Sequence, residues 1–150
     1  MEYNLQGVVG QIARVHELAN GWLERELENR ELEGLQPAHG TVLAFLFQQK
    51  TPVPIKDIVE RVRRVKSTVT GMVSTLERYS YVQKTPSPED GRVVYVELTA
   101  KGLALRADFD RISKDLIKAV YGKMSGADRK TLVRLLAQVE ENIKTNPGTE

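Results

Sequence analysis

The sequence contains no cysteine, two histidines and one tryptophan among its 150 residues. Without cysteine, the chain cannot form a disulfide, a thiol-based redox switch or a zinc site with thiolate ligands. His16 and His39 are too few for a confident metal site. We therefore expect a protein that works without a metal or other cofactor.

Long hydrophobic runs are also missing. No apolar segment approaches the roughly 20 residues that a membrane-spanning helix needs, and the first residues have neither a basic leader nor an uninterrupted apolar segment. A composition of 41% hydrophobic and 28% charged residues is typical of a globular protein. We therefore expect one cytoplasmic domain, residues 1–150, without a membrane partner.

The net charge of +2 is unevenly distributed along the chain. The segment from Lys50 to Arg92 holds nine lysines and arginines against five acidic residues, which leaves 13 basic against 15 acidic residues elsewhere. Duplex DNA is a dense line of phosphate charge that such a basic region can neutralise. The distribution favours a nucleic-acid partner, with a solvated charged face as the alternative.

Apolar residues spaced three and four apart indicate long helices at both ends of the chain. The first is expected over about 3–32, another from Thr99 to Met124, and the last after Ser125, whose spacing to Asp128 is that of a capping box. One small domain cannot easily cover three long amphipathic helices. We therefore expect residues of about 1–34 and 99–150 to form dimerisation helices in a homodimer.

Two short helices follow each other in the middle of the chain. Pro37 suits the first position of a helix that stops near Thr51, Pro54 opens a short helix, and the next runs from Lys66 to about Tyr79. The last two, at about 54–79, are typical of a helix-turn-helix.

The second of these two helices has one apolar face and one polar face. Val69, Met72, Val73 and Leu76 form the apolar set. The opposite face presents Ser67, Thr70, Gly71, Ser74 and Arg78, with Lys66, Thr68 and Thr75 at its margins. A glycine within a helix costs about 1 kcal/mol relative to alanine. Gly71 therefore suggests close approach of a partner to the backbone, or else a tolerated glycine on a solvated helix.

Two strands joined by turn residues are predicted next. Val82–Thr85 and Val93–Leu98 have strand character, and the prolines, Asp90 and Gly91 between them favour a turn. The pair predicts a β-hairpin wing at about 82–98. We expect the carboxylate of Asp90 to hold the guanidinium of Arg92 in one orientation; the alternative is a surface ion pair worth at most about 1 kcal/mol.

These elements predict a mainly α (α+β) fold. It consists of a winged helix-turn-helix with a two-stranded β-hairpin wing, over about 35–98, and N- and C-terminal dimerisation helices.

Four motifs carry a resemblance to a known family: KSTVT in the exposed helix, Leu76-Glu77 followed by Tyr81-Val82, PSPEDGR at the wing and LTAKG at the start of the next helix. With these motifs the chain resembles the MarR family of winged-helix transcriptional regulators over nearly its whole length. The resemblance implies a homodimer that binds pseudopalindromic double-stranded DNA with each recognition helix in a major groove. It also implies a small aromatic or lipophilic anionic ligand.

The resemblance further implies roles for individual residues. Bases or phosphates would be contacted by Ser67, Thr68, Thr70, Gly71, Ser74 and Thr75, and the phosphate backbone by Arg64, Lys66, Arg78 and Lys84. Arg92, held by Asp90, would enter the minor groove. The chain departs from the family pattern at Ser80, where glycine is usual, at Arg63-Arg64, which occupy a turn that often holds glycine and an apolar residue, and at Gln36 and His39.

The function expected from the sequence is that of a sequence-specific DNA-binding transcriptional regulator, a homodimeric repressor that a small molecule releases. A winged-helix protein-interaction module and a ligand-independent DNA-binding repressor are the alternatives. An enzyme is not expected, since Ser67 and Ser74 have no histidine nearby in the sequence to act as a base. Trp22, His39 and Tyr121 are candidates for the ligand pocket, with core packing as the alternative for each.

Overall fold

The computed structural model describes residues 4–148. A short 3₁₀ turn at Leu5–Gly7 leads into α1 (Val8–Asn29), so that position 3, where the first helix is predicted to begin, lies outside the described residues. The remaining elements are α2 (His39–Phe47), β1 (Val53–Pro54), α3 (Ile55–Val62), α4 (Lys66–Arg78), β2 (Val82–Pro86), β3 (Val94–Leu98), α5 (Ala100–Ala104), α6 (Arg106–Tyr121) and α7 (Gly126–Thr145). The chain forms two compact units, one ending at Leu116 and the other beginning at Ile117.

The core of the first unit lies among α2, α3, α4 and the sheet. Its fully buried side chains are Val42, Leu43, Ile58, Val69, Val73, Leu76, Val82 and Val96. Burying side chains of this size stabilises a fold by about 1.5–3 kcal/mol each. The position of α4 in the first unit is therefore fixed by the apolar face that its sequence predicts.

Three antiparallel strands form the sheet, in the order β1-β3-β2. The hairpin pairs Val82 with Leu98 and Pro86 with Val94, which confirms the predicted wing. The third strand, β1, is absent from the sequence prediction; in it, Val53 pairs with Val96. A two-residue strand that contains a proline carries no local pattern, and only pairing with β3 defines it. The predicted fold class is confirmed, with a three-stranded sheet in place of an isolated hairpin.

Two of the predicted helices have different bounds in the structure. The second helix begins at His39, not at Pro37, and ends at Phe47, because the chain must become extended before Val53 joins the sheet. The single helix expected from Thr99 to Met124 is wrong, because the structure divides it into α5 and α6 and ends α6 at Tyr121. The break lies at Leu105, whose side chain is buried in the core.

The predicted N-caps of α5 and α7 are confirmed. The Thr99 hydroxyl oxygen accepts a hydrogen bond from the Gly102 N–H at 3.1 Å, and the Ser125 hydroxyl oxygen accepts one from the Asp128 N–H at the same distance. Each cap satisfies a backbone donor that the first helical turn leaves unpaired.

Each unit, taken alone, leaves large hydrophobic side chains exposed. In the first unit, the exposed fraction is 39–88% for Leu5, Val8, Val9, Ile12, Val15 and Leu18, at the start of the chain and along the first half of α1. In the second unit, the exposed residues are Ile117, Val120, Met124, Val133, Leu135, Leu136 and Ile143. Exposed hydrophobic side chains in such number are typical of a surface that binds a partner.

Candidate nucleic-acid interface

Helix α4 has one fully buried face and one open face. Val69, Val73 and Leu76 are inaccessible to solvent, which orients the helix on the core. The predicted DNA-contacting residues of α4 that lie exposed are Lys66, Ser67, Thr68, Thr70, Gly71, Ser74 and Arg78. Apart from its two chain neighbours and the backbone of its own helix, a Cβ atom at Gly71 would have no protein atom within 4 Å. The packing of this unit therefore does not require glycine at this position.

Thr75 differs from the other predicted contacts. It is half-buried, and its hydroxyl donates a hydrogen bond to the Gly71 carbonyl at 3.1 Å. Because this donor is already used within the helix, Thr75 offers a partner less than its neighbours do.

The turn between α3 and α4 is basic and exposed. Arg63 ends α3 in the left-handed region, with φ 52° and ψ 41°, and its N–H donates to the Val59 carbonyl at 3.0 Å. Arg64 and Val65 follow, both exposed. The predicted departure at Arg63-Arg64 thus places an arginine where glycine has the lower backbone cost.

Two basic residues near the end of α4 have different surroundings. The Arg78 guanidinium lies over the Tyr79 ring, 5.4 Å from its centroid, and the residue stays exposed. The Lys84 Nζ lies 3.2 Å from Glu77 Oε1, so this predicted phosphate contact is paired with a carboxylate of its own chain. A partner phosphate would have to compete with Glu77 for Lys84.

The wing tip is ordered by backbone hydrogen bonds. The Ser87 hydroxyl oxygen accepts from the N–H groups of Glu89 and Asp90, and the Val93 N–H donates to the Asp90 carbonyl at 2.9 Å. The prediction that Asp90 holds the Arg92 guanidinium is wrong, because Asp90 Oδ1 accepts instead from the Arg92 backbone N–H at 3.0 Å. A carboxylate two residues before an N–H forms this local turn readily. Arg92 itself is exposed.

The end of α4 is closed by a left-handed residue. The Tyr81 N–H donates to the Leu76 carbonyl at 2.9 Å, and Ser80 has φ 64°. This is a Schellman motif, in which glycine is the usual residue at the left-handed position. The departure that the sequence indicates at Ser80 is confirmed as a serine held in that conformation.

Two long-range hydrogen bonds at this junction were not predicted from the sequence. The Tyr81 hydroxyl donates to the Glu33 carbonyl at 2.7 Å, and Lys101 Nζ donates to the Tyr79 carbonyl at 2.7 Å. Burial raises the pKa of the Tyr81 phenol, and the negative charge of Glu33 adds to that rise. Lys101 is part of the LTAKG motif, which is the one sequence signal that could have indicated its position.

Two glycines allow the backbone segments around this junction to approach closely. At Gly34, with φ 80°, a Cβ atom would collide with the Tyr79 ring. At Gly102, a Cβ atom would meet the Tyr81 carbonyl oxygen. The loop after α1, the end of α4 and the start of α5 are therefore packed on one another without space for a methyl group.

The candidate pocket residues lie in separate surroundings. Trp22 is half-buried against the core, and Tyr121 belongs to the second unit, where the Arg129 guanidinium lies 5.3 Å from its ring centroid. His39 is 4% exposed, and its Nδ1 accepts a hydrogen bond from the Gln36 N–H at 3.0 Å. Burial lowers the pKa of this imidazole.

A groove of about 370 Å³ does exist in the first unit. Its walls come from α1, α2 and α6 and include Leu23, Leu27, Phe47, Arg106, Phe109 and Ile112. The walls include neither Trp22 nor His39. The Arg106 guanidinium also donates to the Phe47 carbonyl at 3.4 Å, which places a cation beside apolar walls.

Between residues 4 and 148, no helix is long and apolar enough to cross a membrane. Within the same residues, no three histidine, aspartate or glutamate side chains cluster in a way that could hold a metal ion.

Comparisons with known proteins agree with this geometry. Residues 35–102 match the family model of a winged helix DNA-binding domain. The chain is 28% identical, over 89% of its length and 78% of the relative's, to the HTH-type transcriptional repressor IacR of Pseudomonas putida. The relatives are transcription regulators, which are not a class of enzymes.

Solved structures share the fold over nearly the whole chain. A MarR-like transcription regulator from Bacillus cereus superimposes with a TM-score of 0.76 at 23% identity, covering 92% of this chain and 96% of the other. MepR of S. aureus, solved in complex with DNA, gives a TM-score of 0.78 at 20% identity, covering 94% and 99%.

Proposed function

We infer that the chain is a member of the MarR family of winged-helix transcriptional regulators, because it matches a winged helix DNA-binding domain, resembles an HTH-type repressor and shares the fold of MarR-like regulators. On that premise, we propose that it acts as a homodimeric repressor that binds pseudopalindromic double-stranded DNA. Binding of a small molecule would release the repressor from the DNA. Each protomer would place α4 in a major groove and Arg92 in the neighbouring minor groove.

The open face of α4 carries the proposal. Its serine and threonine hydroxyls and Gly71 are exposed opposite a fully buried apolar face, so their exposure follows from the fold. A major groove is wide enough to admit an α-helix, and small polar side chains on the exposed face of that helix can contact the bases. The exposed cations Arg64, Lys66 and Arg78 border this face, where they would neutralise phosphates.

A homodimer is supported by the exposed apolar side chains of each unit. Those on the first half of α1 and those on α7 are too many to be left in water by an isolated protomer. A two-fold axis would bring two α4 helices to the same side of a duplex, about 34 Å apart, which is one helical turn of DNA. Sedimentation equilibrium measures this directly, and a monomer at micromolar concentration would contradict it.

Release by a ligand is supported by the groove between α1, α2 and α6. Its volume of about 370 Å³ suits a small molecule, and Arg106 supplies a cation for an anionic group. A ligand that changes DNA affinity must bind the free and DNA-bound states differently. Aromatic carboxylates added to a bound operator test this step, and an unaffected complex would favour the ligand-independent repressor.

Selection of bound duplexes from a random pool tests the DNA-binding function itself. The enriched sequence should be pseudopalindromic, and its affinity should fall steeply with salt. Ser67→Glu and Thr70→Glu should each abolish binding, because a carboxylate at either position faces the phosphates.

The matched control is Asn29→Glu, which adds the same charge at an exposed position of α1. This variant should bind the selected duplex as the unmodified protein does. Retained binding by both α4 variants would remove α4 from the interface. Failure to enrich any duplex at low ionic strength would favour the protein-interaction module.

A further inference from the structure

Val65 occupies a position that neither helix stability nor burial explains. It is the N-cap of α4, with φ −64° and ψ 148°, and it forms no side-chain cap hydrogen bond. Serine, threonine, aspartate and asparagine stabilise this position, whereas valine is among its poorest occupants. The side chain is also 67% exposed, so burial in the core does not offset the lost cap.

Val65 lies at the N-terminal end of α4, among residues that are predicted to contact DNA. Arg64 and Lys66 flank it, Ser67 and Thr68 follow, and all four are exposed. Within this segment, 64–68, valine is the one side chain made of hydrocarbon alone. The N-terminal residues of a recognition helix are those that reach the base edges in the major groove. An exposed apolar group is thus presented where bases are read.

The major groove offers one base substituent that an apolar side chain recognises, the C5-methyl group of thymine. We propose that Val65 is a specificity-determining residue that packs against a thymine methyl in each half-site. The inference rests on the proposed DNA-binding function and deepens it. Val65 would give α4 an apolar contact with one base. The hydroxyls of Ser67 and Thr68 do not provide such a contact, since a hydroxyl pairs with several bases.

Replacing thymine by deoxyuridine removes the methyl group and leaves base pairing intact. In the selected duplex, this exchange is made one position at a time, and the affinity of the full-length protein is measured. At one position per half-site, the loss of the methyl should weaken binding by about fourfold, the effect of one buried methyl group. Val65→Ala, which shortens the side chain but keeps one methyl group, should discriminate less between the thymine and deoxyuridine duplexes.

Val65→Ser separates this role from a structural one. Serine restores an N-cap, so the melting temperature should rise, while the discrimination between thymine and deoxyuridine should disappear. A residue that only supported the helix would not produce a more stable protein with lost discrimination. Leu103→Ala, at an exposed hydrophobic residue of α5, is the control and should retain the discrimination.

Thr68→Ser tests the competing methyl group on the same helix, since it removes a methyl and keeps the hydroxyl. If discrimination disappears in Thr68→Ser and persists in Val65→Ser, the assignment to Val65 is overturned. If the unmodified protein enriches no duplex at all, the proposed function fails and the inference fails with it. If the protein binds its duplex but the loss of each thymine methyl leaves the affinity unchanged, the inference is overturned and the proposed function stands.

Discussion

Replacing Arg92 by alanine should lower the affinity for duplex DNA and also its dependence on salt. Arg92 is exposed at the wing, and the nearby Asp90 carboxylate bonds to the Arg92 backbone N–H, 3.0 Å away, and not to the guanidinium. The full charge is therefore available to a phosphate or a narrow minor groove. No buried contact is lost with this side chain, so the fold should remain unchanged.

The magnitude follows from counterion release. Each neutralised phosphate contributes about 0.9 to the slope of log affinity against log salt, and a dimer brings two copies of Arg92. The substitution should therefore reduce the slope by about 1.8. Between 50 and 200 mM salt, the unmodified protein should lose about 12-fold more affinity than the variant does.

Fluorescence anisotropy with the selected duplex at several salt concentrations measures both slopes. Lys114→Ala removes an exposed cation of the same sign from α6, outside α3, α4 and the wing, and should leave the slope unchanged. Parallel lines for the unmodified protein and Arg92→Ala would refute the placement of this guanidinium at the DNA. Circular dichroism should show the same melting temperature for both proteins.

Three further substitutions test the packing around the site. Gly34→Ala should lower the unfolding free energy by about 3 kcal/mol in denaturant titrations, because φ is 80° and the added Cβ meets the Tyr79 ring; a change below 1 kcal/mol would contradict this. Gly71→Ala should raise stability by about 1 kcal/mol and yet weaken DNA binding, and unchanged binding would identify a merely tolerated glycine. His39 has a lowered pKa, so the unfolded state binds more protons below about pH 6.5 and stability should fall there with decreasing pH. His39→Gln should flatten that decline, and equal pH profiles would contradict the assignment.

The sequence predicts α4 and the wing because their signals are local. Val69, Val73 and Leu76 recur at helical spacing, and all three are buried as that spacing requires. Thr99 and Ser125 cap their helices through hydrogen bonds that span three residues. Such short-range signals are present in a short window of the chain, so the open face of α4 could be predicted from the sequence.

Contacts between distant segments could not be predicted in the same way. The hydrogen bond from Tyr81 to the Glu33 carbonyl joins positions 48 residues apart, and the partner is a backbone atom that any residue would supply. The strand β1 exists through its pairing with β3, since Val53 and Pro54 alone carry no strand pattern. The prediction that Asp90 holds the Arg92 guanidinium was wrong because the sequence does not show which donor a carboxylate will choose. Asp90 had two possible donors nearby, and the shorter path to the backbone prevailed.

Three helices are each followed by a residue other than glycine in the left-handed region. Glu31, Arg63 and Ser80 all have positive φ, at the ends of α1, α3 and α4 respectively. Such a conformation costs of order 1 kcal/mol or more in residues other than glycine, so glycine is the residue expected at these positions. The chain accepts that cost before and after α4, and at the start of the helix it also lacks a side-chain cap. Because local preferences are unfavourable at both ends, the buried face of α4 must set its position, and truncation of Val69, Val73 or Leu76 to alanine should lower the unfolding free energy more than a substitution at either end does.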